Sequence, residues 1–328
     1  MRNRNKYPRP SALPEKPLTR FGAVAQFFLT WGGVIYVIFM LYVITIFARF
    51  FACTDVYGEE YCSQLNGVAI FIYAQMLGNL GLFLWFSREN KVEHWQRNSV
   101  VASLCRSAIE DELNDSMEEG DAEEMRDAQQ GKFCVECQRD APIRSHHCPL
   151  CHQCVLRKDH HCYITGACVG LGNQRYFIVF LFWAVVGCMI GTRYILLYLN
   201  KQTPWYPFGW LTYIAPVSLF KWLILQDTPP SQVVVCIIIS FSVGSCMGAL
   251  GFLVAQIFYT LHGYTMYEYH SLSIREAYPG DGESVGERLR LVFGPYYLLN
   301  FIFPTFWWKQ RLTPEIADNL FRVRSKLL

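Results

Sequence analysis

Four runs along the chain are apolar with no charge in their middles: Ala23–Phe51, Val68–Phe86, Tyr176–Leu199 and Val233–Leu261. A helix needs about 20 mostly apolar residues to cross a bilayer, and these runs meet that length. Arg49 and Arg193 sit toward the ends of their runs, where long side chains can snorkel to the interface. The other reading, four core helices of a soluble protein, would need far more amphipathic partner sequence than the chain contains. The pattern therefore predicts four transmembrane helices. The stretch from Leu289 to Trp308 is also rich in apolar and aromatic residues, but Pro295 and Pro304 interrupt it. It is expected to lie in the membrane interface or to pack against the cysteine-rich segment between Cys134 and Cys168, not to form a fifth span.

Composition agrees with a lipid environment. Hydrophobic residues make up 52% of the 328 positions and charged residues only 17%, below the quarter usual for soluble domains. A formal charge of +2 is too balanced for a nucleic-acid partner. The distribution of the bases says more than their sum. The tail before the first run holds Arg2, Arg4, Lys6, Arg9, Lys16 and Arg20, and residues 262–328 hold eight further bases. The loop Ala52–Gly67 has none, and Asn200–Gln232 has only Lys201 and Lys221. The positive-inside rule then places both termini and the segment Ser87–Arg175 in the cytosol. The expected layout is a tail (1–22), spans one and two (23–86), a cytosolic segment (87–175), spans three and four (176–261) and a cytosolic C-terminal region (262–328). The basic tail and long first span read as a retained signal anchor. The acidic run Glu110–Asp127 reads as a solvated helix or linker. Cys53 and Cys62, alone in the first luminal loop, either form a disulfide or stand as two thiols.

Seven of the 13 cysteines lie between Cys134 and Cys168, mixed with five histidines. The order is Cys134-x2-Cys137, His147-Cys148-x2-Cys151-x2-Cys154, Asp159-His160-His161-Cys162, then Cys168. Cysteines two residues apart can turn both sulfurs onto one zinc ion, and a segment this poor in apolar runs needs metal to fold. Two tetrahedral sites need about eight ligands, so donors are left over, and spacing alone does not say which. Asp159, His160 and Cys162 also make chemical sense as a set: a histidine to take a thiol proton, a carboxylate to hold the imidazole, and a thiolate nucleophile. A third, partial metal site at His160 and Cys162 is the competing reading, and it runs short of ligands.

The runs Arg144-Ser-His-His-Cys-Pro-Leu-Cys-His-Gln-Cys154 and Leu156-Arg-Lys-Asp-His-His-Cys162 closely resemble the cysteine-rich domain of the DHHC protein S-acyltransferases, or palmitoyltransferases. That family has four spans with this domain on the cytosolic face between the second and third, so the resemblance covers most of the chain. It implies an α-helical membrane protein with a zinc-stabilised domain at about 132–175. It also implies two structural Zn2+ sites: Cys134, Cys137, His147 and Cys154 at one, Cys148, Cys151, His161 and Cys168 at the other. Cys162, His160 and Asp159 remain as the catalytic set, and His146 and His152 have no assigned role. The implied activity is transfer of a fatty acyl chain, palmitoyl above all, from acyl-CoA through a Cys162 thioester to cysteines of client proteins at the membrane. An endomembrane such as the Golgi or ER is the implied location. Arg144, Arg157, Lys158 and Arg175 are candidate contacts for coenzyme A phosphates, or else positive-inside anchors.

The chain departs from the family in three places. The family's Pro-Trp and Asn-Asn around the last ligand cysteine are replaced by Tyr163-Ile164-Thr165-Gly166-Ala167, which bears on acyl contact and rate. Its Thr-Thr-x-Glu motif is here Thr265-Met266-Tyr267-Glu268, so a hydroxyl expected near Asp159 is missing. Val292-Phe293-Gly294 resembles the family's aromatic–glycine element, and no Asp-Pro-Gly follows Phe86. A zinc-organised membrane adaptor without transferase activity is the main alternative, and these departures are its best arguments. A zinc-finger ubiquitin ligase fits less well, since the spacing is not that of a RING.

Overall fold

A computed structural model describes residues 20–88, 90–91, 132–141, 144–272, 275 and 280–303. The acidic run Glu110–Asp127 and the ends of the chain lie outside the described residues. Four helices are long and apolar enough to cross a membrane. The first is α1 (Arg20–Ile46), extended by a π-helical turn, Phe47–Cys53. After the short α2 (Thr54–Tyr57) and α3 (Glu59–Ser63) come α4 (Asn66–Ser87), α5 (Gln174–Gln202) and, beyond the short α6 (Ala215–Phe220), α7 (Pro230–His262). The long helices carry apolar side chains on their outward faces as well as inside. Phe39, Ile70, Trp85, Met247 and Val254 are all exposed. A soluble protein would not leave so much apolar surface uncovered, and a bilayer would cover it. Helix α5 is central, packed along both α4 and α7.

The residues between the first two spans are helical, not a loop. Their folding gives Arg49 a partner that makes snorkelling unnecessary. Its guanidinium is buried and donates to both Glu59 carboxylate oxygens, at 2.8 and 3.2 Å, and to Asn66 Oδ1 at 2.7 Å. Cys53 and Cys62 are joined by a disulfide there. With Ala52, Tyr194, Ile195, Tyr213 and Cys236 they form a second apolar cluster at that end of the bundle.

Three two-stranded antiparallel hairpins follow α4: β1 (Lys132–Cys134) with β2 (Arg139–Ala141), β3 (Ser145–Cys148) with β4 (Gln153–Leu156), and β5 (His160–Cys162) with β6 (Ala167–Val169). They lie at the opposite end of the bundle from the disulfide. Gly33 of α1 touches the β5–β6 turn, and 20 residues of helical rise, about 30 Å, separate it from Cys53. Two asparagines fasten the hairpins to the helices. The Asn90 carbonyl accepts from Leu156 N–H at 3.0 Å and its side chain from Gly172 N–H at 2.7 Å. Asn173 donates to the Cys168 and Phe83 carbonyls at 3.0 and 3.3 Å. Cys162, Ala167 and Val169 belong to the same apolar cluster as Val34, Phe83, Phe177 and Leu253, so this region shares the core of the helical bundle.

After α7, the short α8 (Met266–His270) and α9 (Val285–Phe293) turn back toward the spans. Leu291, Val292 and Phe293 are buried, and Trp183 Nε1 donates to the Phe301 carbonyl at 2.8 Å. The described part of the apolar segment from Leu289 thus packs on the long helices. Gln75 of α4 holds it there by donating to the Ile302 carbonyl.

Candidate active site

The hairpins gather eight ligand-type side chains into two groups. In one, Cys134, Cys137, His147 and Cys154 bring their donor atoms within 4.8 Å of one another; in the other, Cys148, Cys151, His161 and Cys168 do the same. The turns explain how. Gln138 (φ 51°) and His152 (φ 50°) are left-handed, and each directly follows the second cysteine of a Cys-x2-Cys step, folding both sulfurs to one side. Cys137 and Cys154 sulfurs lie 3.7 Å apart, and Cys151 and Cys168 sulfurs 3.6 Å. His147 Nδ1 and His161 Nδ1 each stand 3.3 Å from a sulfur of their group. A zinc tetrahedron with bonds of about 2.3 Å has sulfur–sulfur edges of about 3.8 Å, so both groups fit that ion. Each could hold one metal ion, and the groups interleave along the chain. His146 and His152 belong to neither; the His146 ring packs on Tyr267 at 4.1 Å.

Asp159, His160 and Cys162 stand together outside both groups. The Asp159 carboxylate, almost fully buried, lies 2.6 Å from His160 Nδ1. The Gln256 amide on α7, which sequence reading missed, donates to Oδ2 at 2.7 Å, and the backbone N–H of Met266, a position expected near Asp159, donates to Oδ1 at 2.6 Å. Burial alone would raise the Asp159 pKa, but His160, Met266 N–H and Gln256 together keep it below the usual carboxylate value. Burial disfavours the His160 imidazolium, yet Asp159 and Cys162 outweigh it and push the group up to about 9. Burial also disfavours a Cys162 thiolate, and His160 and Thr165 overcome it, so that pKa is lowered. The set is arranged as a thiolate–imidazolium pair oriented by a carboxylate. His160 Nε2 is buried and, apart from Cys162, has no hydrogen-bond partner among the described residues. The His160 ring packs against Phe177 and stacks on Phe252 at 5.9 Å.

Beneath the set lies a cavity of about 320 Å³ between the four long helices. It is lined almost wholly by apolar side chains, among them Met40, Ile72, Met76 and Phe180, with Ile164 and Phe252 bringing it up to the Cys162 region.

A buried ionic cluster supports the site from the other side. Arg144 donates to both Glu268 oxygens at 2.6 Å and to Asp281 Oδ1 at 2.7 Å. Arg157 is paired with Asp281 and donates to Gln174 Oε1 at 2.6 Å. Gln174 in turn donates to Gln256 Oε1 at 3.0 Å, which completes a hydrogen-bonded chain from Asp281 to Asp159. Glu268 also forms a capping box with Thr265. These contacts correct one expectation: Arg144 and Arg157 are buried and committed to carboxylates, so they do not face coenzyme A. Arg175 is buried as well, against the Tyr176 ring. Lys158 remains half-buried and donates to the His147 carbonyl.

A DHHC palmitoyltransferase family profile matches residues 127–273, which contain both ligand groups and the Asp159–His160–Cys162 set. Palmitoyltransferase ZDHHC17 of Rattus norvegicus is 37% identical over 93 residues, covering 26% of this chain and 14% of that protein. Palmitoyltransferase ZDHHC13 of Homo sapiens is 42% identical over 87 residues, covering 26% of this chain and 14% of that protein. Palmitoyltransferase ZDHHC20 of Homo sapiens is 37% identical over 70 residues, covering 21% of this chain and 19% of that protein. The chain therefore spans less than a quarter of the length of these relatives. Four apolar helices and the two metal-ready groups fit an integral membrane protein with this domain. Over residues 127–273 the chain is thus similar to the DHHC palmitoyltransferase family.

Proposed function

We propose that the chain is a protein S-acyltransferase that carries a fatty acyl group, palmitoyl above all, from acyl-CoA to cysteines of membrane-proximal proteins. The observation that carries this reading is the placement of Cys162. It stays outside both metal-ready groups, faces a buried His160 Nε2 that has no other partner among the described residues, and stands beside an apolar cavity. The Cys162 thiolate attacks the thioester carbonyl and forms an acyl-enzyme, and a client thiol then attacks that thioester with His160 as its base. Asp159 holds the imidazole so that Nε2 serves the sulfur. The acyl tail lies in the cavity, gaining about 0.8 kcal/mol per buried CH2. Acyl-CoA and client thiol use the same sulfur in turn, so the kinetics are ping-pong.

Cys134, Cys137, His147 and Cys154 hold one Zn2+, and Cys148, Cys151, His161 and Cys168 hold the second. Both ions are structural: four protein donors close each site, and the domain has little apolar core of its own. Replacing Cys148 with Ala should lower bound zinc from two ions per chain to about one and reduce the amount of folded protein. Metal analysis of the purified variant checks this, and a full complement of zinc would remove Cys148 from the ligand set.

The layout proposed is a cytosolic tail, two spans, a cytosolic segment with its zinc domain at about 132–175, two more spans and a cytosolic C-terminal region. The Cys53–Cys62 disulfide supports it: disulfides persist in oxidising compartments, and this one lies at the end opposite the thiol-rich hairpins. A Golgi or ER membrane suits that arrangement.

Incubation of the purified chain with palmitoyl-CoA, followed by digestion and mass spectrometry, tests the reading directly. A hydroxylamine-labile palmitoyl group on the peptide containing Cys162 is expected. A chain that binds two zinc ions yet takes up no acyl group would favour the adaptor.

A further inference from the structure

The turn that follows Cys162 is fixed by its surroundings. Gly166 N–H donates to the Cys162 carbonyl at 2.8 Å, and Gly166 is left-handed, at φ 70°. The turn is pressed onto α1. A Cβ on Gly166 would overlap the Thr30 carbonyl, and one on Gly33 would overlap the Tyr163 carbonyl. Tyr163 is exposed and Ile164 lines the cavity, while Thr165 is 0% exposed. Its hydroxyl has no hydrogen-bond partner among the described residues apart from the Cys162 sulfur, toward which both it and the Thr165 backbone N–H are turned. Buried hydroxyls in native folds are normally partnered, and one whose sole neighbour is the reacting sulfur is placed to serve a partner that arrives with the substrate. The Asn pair of the DHHC pattern is here Gly166-Ala167, which brings no side-chain donor. Thr165 is thus the one buried side-chain donor between Cys162 and Cys168.

We propose that Thr165 is a catalytic residue whose hydroxyl, with its own backbone N–H, donates to the thioester oxygen as acyl transfer turns it into an oxyanion. This rests on the acyl-transfer reading above. As the Cys162 sulfur pair bonds to the carbonyl carbon, the C=O π pair moves onto oxygen, next to Thr165. When that pair returns, the bond to the coenzyme A sulfur breaks, and the leaving thiolate takes the proton held at His160 Nε2. His160 Nε2 and the Thr165 hydroxyl flank the sulfur with no other partner among the described residues, one serving the proton and the other the developing charge.

The test is single-turnover acyl-enzyme formation from palmitoyl-CoA by the purified full chain, with Cys162→Ala as the blank. Thr165→Val keeps the shape and removes the hydroxyl. It should lower the maximal rate about a hundredfold with little change in half-saturating palmitoyl-CoA, as loss of an oxyanion donor does. Thr165→Ser, which restores the hydroxyl, should recover most of the rate, and both variants should keep two zinc ions. A Thr165→Val rate within about threefold of wild type would overturn the assignment. So would an equal loss in Thr165→Ser, which would make the role one of packing. Absence of an acyl-enzyme in the wild-type chain would instead sink the acyl-transfer reading, and this inference with it.

Discussion

Asp159→Asn is expected to slow acyl-enzyme formation by about 10³- to 10⁴-fold while zinc content and folding stay intact. The reason lies in what surrounds the carboxylate. Three donors converge on it: Gln256 Nε2 at 2.7 Å, the Met266 N–H at 2.6 Å and the His160 ring at 2.6 Å. Only a group that accepts everywhere satisfies all three, and an asparagine offers one acceptor oxygen and two N–H donors. If the asparagine oxygen faces His160 and Gln256, its amide opposes the Met266 N–H. If it turns round, the amide opposes Gln256 and donates to His160 Nδ1, leaving the ring proton on Nε2. That is the tautomer that cannot take a proton from Cys162. Either way the imidazole is misplaced or mis-protonated, while the zinc ligands are untouched. Single-turnover rates and metal analysis on the same preparation separate the two effects. A loss below about tenfold with two zinc ions bound would show that Asp159 does not orient His160.

How much of this could be read from the chain depends on distance along it. The four spans are legible because apolar runs need no partner to be seen. Cys162, His160 and Asp159 are legible because they are consecutive or nearly so. The partition of the ligands is not: spacing leaves seven cysteines and five histidines to choose from, and only the family resemblance divides them. The support of Asp159 was hidden for a different reason. Gln256 lies 97 positions from it and Asp281 lies 124 from Arg157, and nothing local ties such residues together. One signal was available. Gln256 falls within the run Val233–Leu261, and a polar residue inside an apolar span usually has a partner worth finding. Arg144 and Arg157 misled for the opposite reason. Bases beside a cysteine-rich motif look like phosphate contacts until their carboxylates arrive from the far end of the chain.

Asp281 is the residue whose loss should most damage the fold. Arg144, Arg157, Glu268 and Asp281 form a buried cluster in which two positive charges meet two negative ones. Burial would raise the Asp281 pKa, but Arg144 and Arg157 hold it below the ordinary carboxylate value, so it is ionised in the fold. Asp281→Ala leaves one positive charge uncompensated in a desolvated place, at a cost of about 3–5 kcal/mol. Native folds are stable by only about 5–15 kcal/mol, so the variant should melt far lower or accumulate poorly. Removing a second charge should help. Arg157→Met in the same chain restores neutrality, and the double variant should recover part of the lost stability even though it has one side chain fewer in the network. That non-additivity distinguishes a charge imbalance from a packing defect, which Arg157→Met would only deepen. Thermal unfolding of the two single variants and the double variant, in one detergent, decides it. An unchanged melting temperature for Asp281→Ala would show that the cluster does not depend on that carboxylate. A double variant weaker than both singles would show that its arginines do more than balance charge, and the bond from Arg157 to Gln174 is where that extra role would lie.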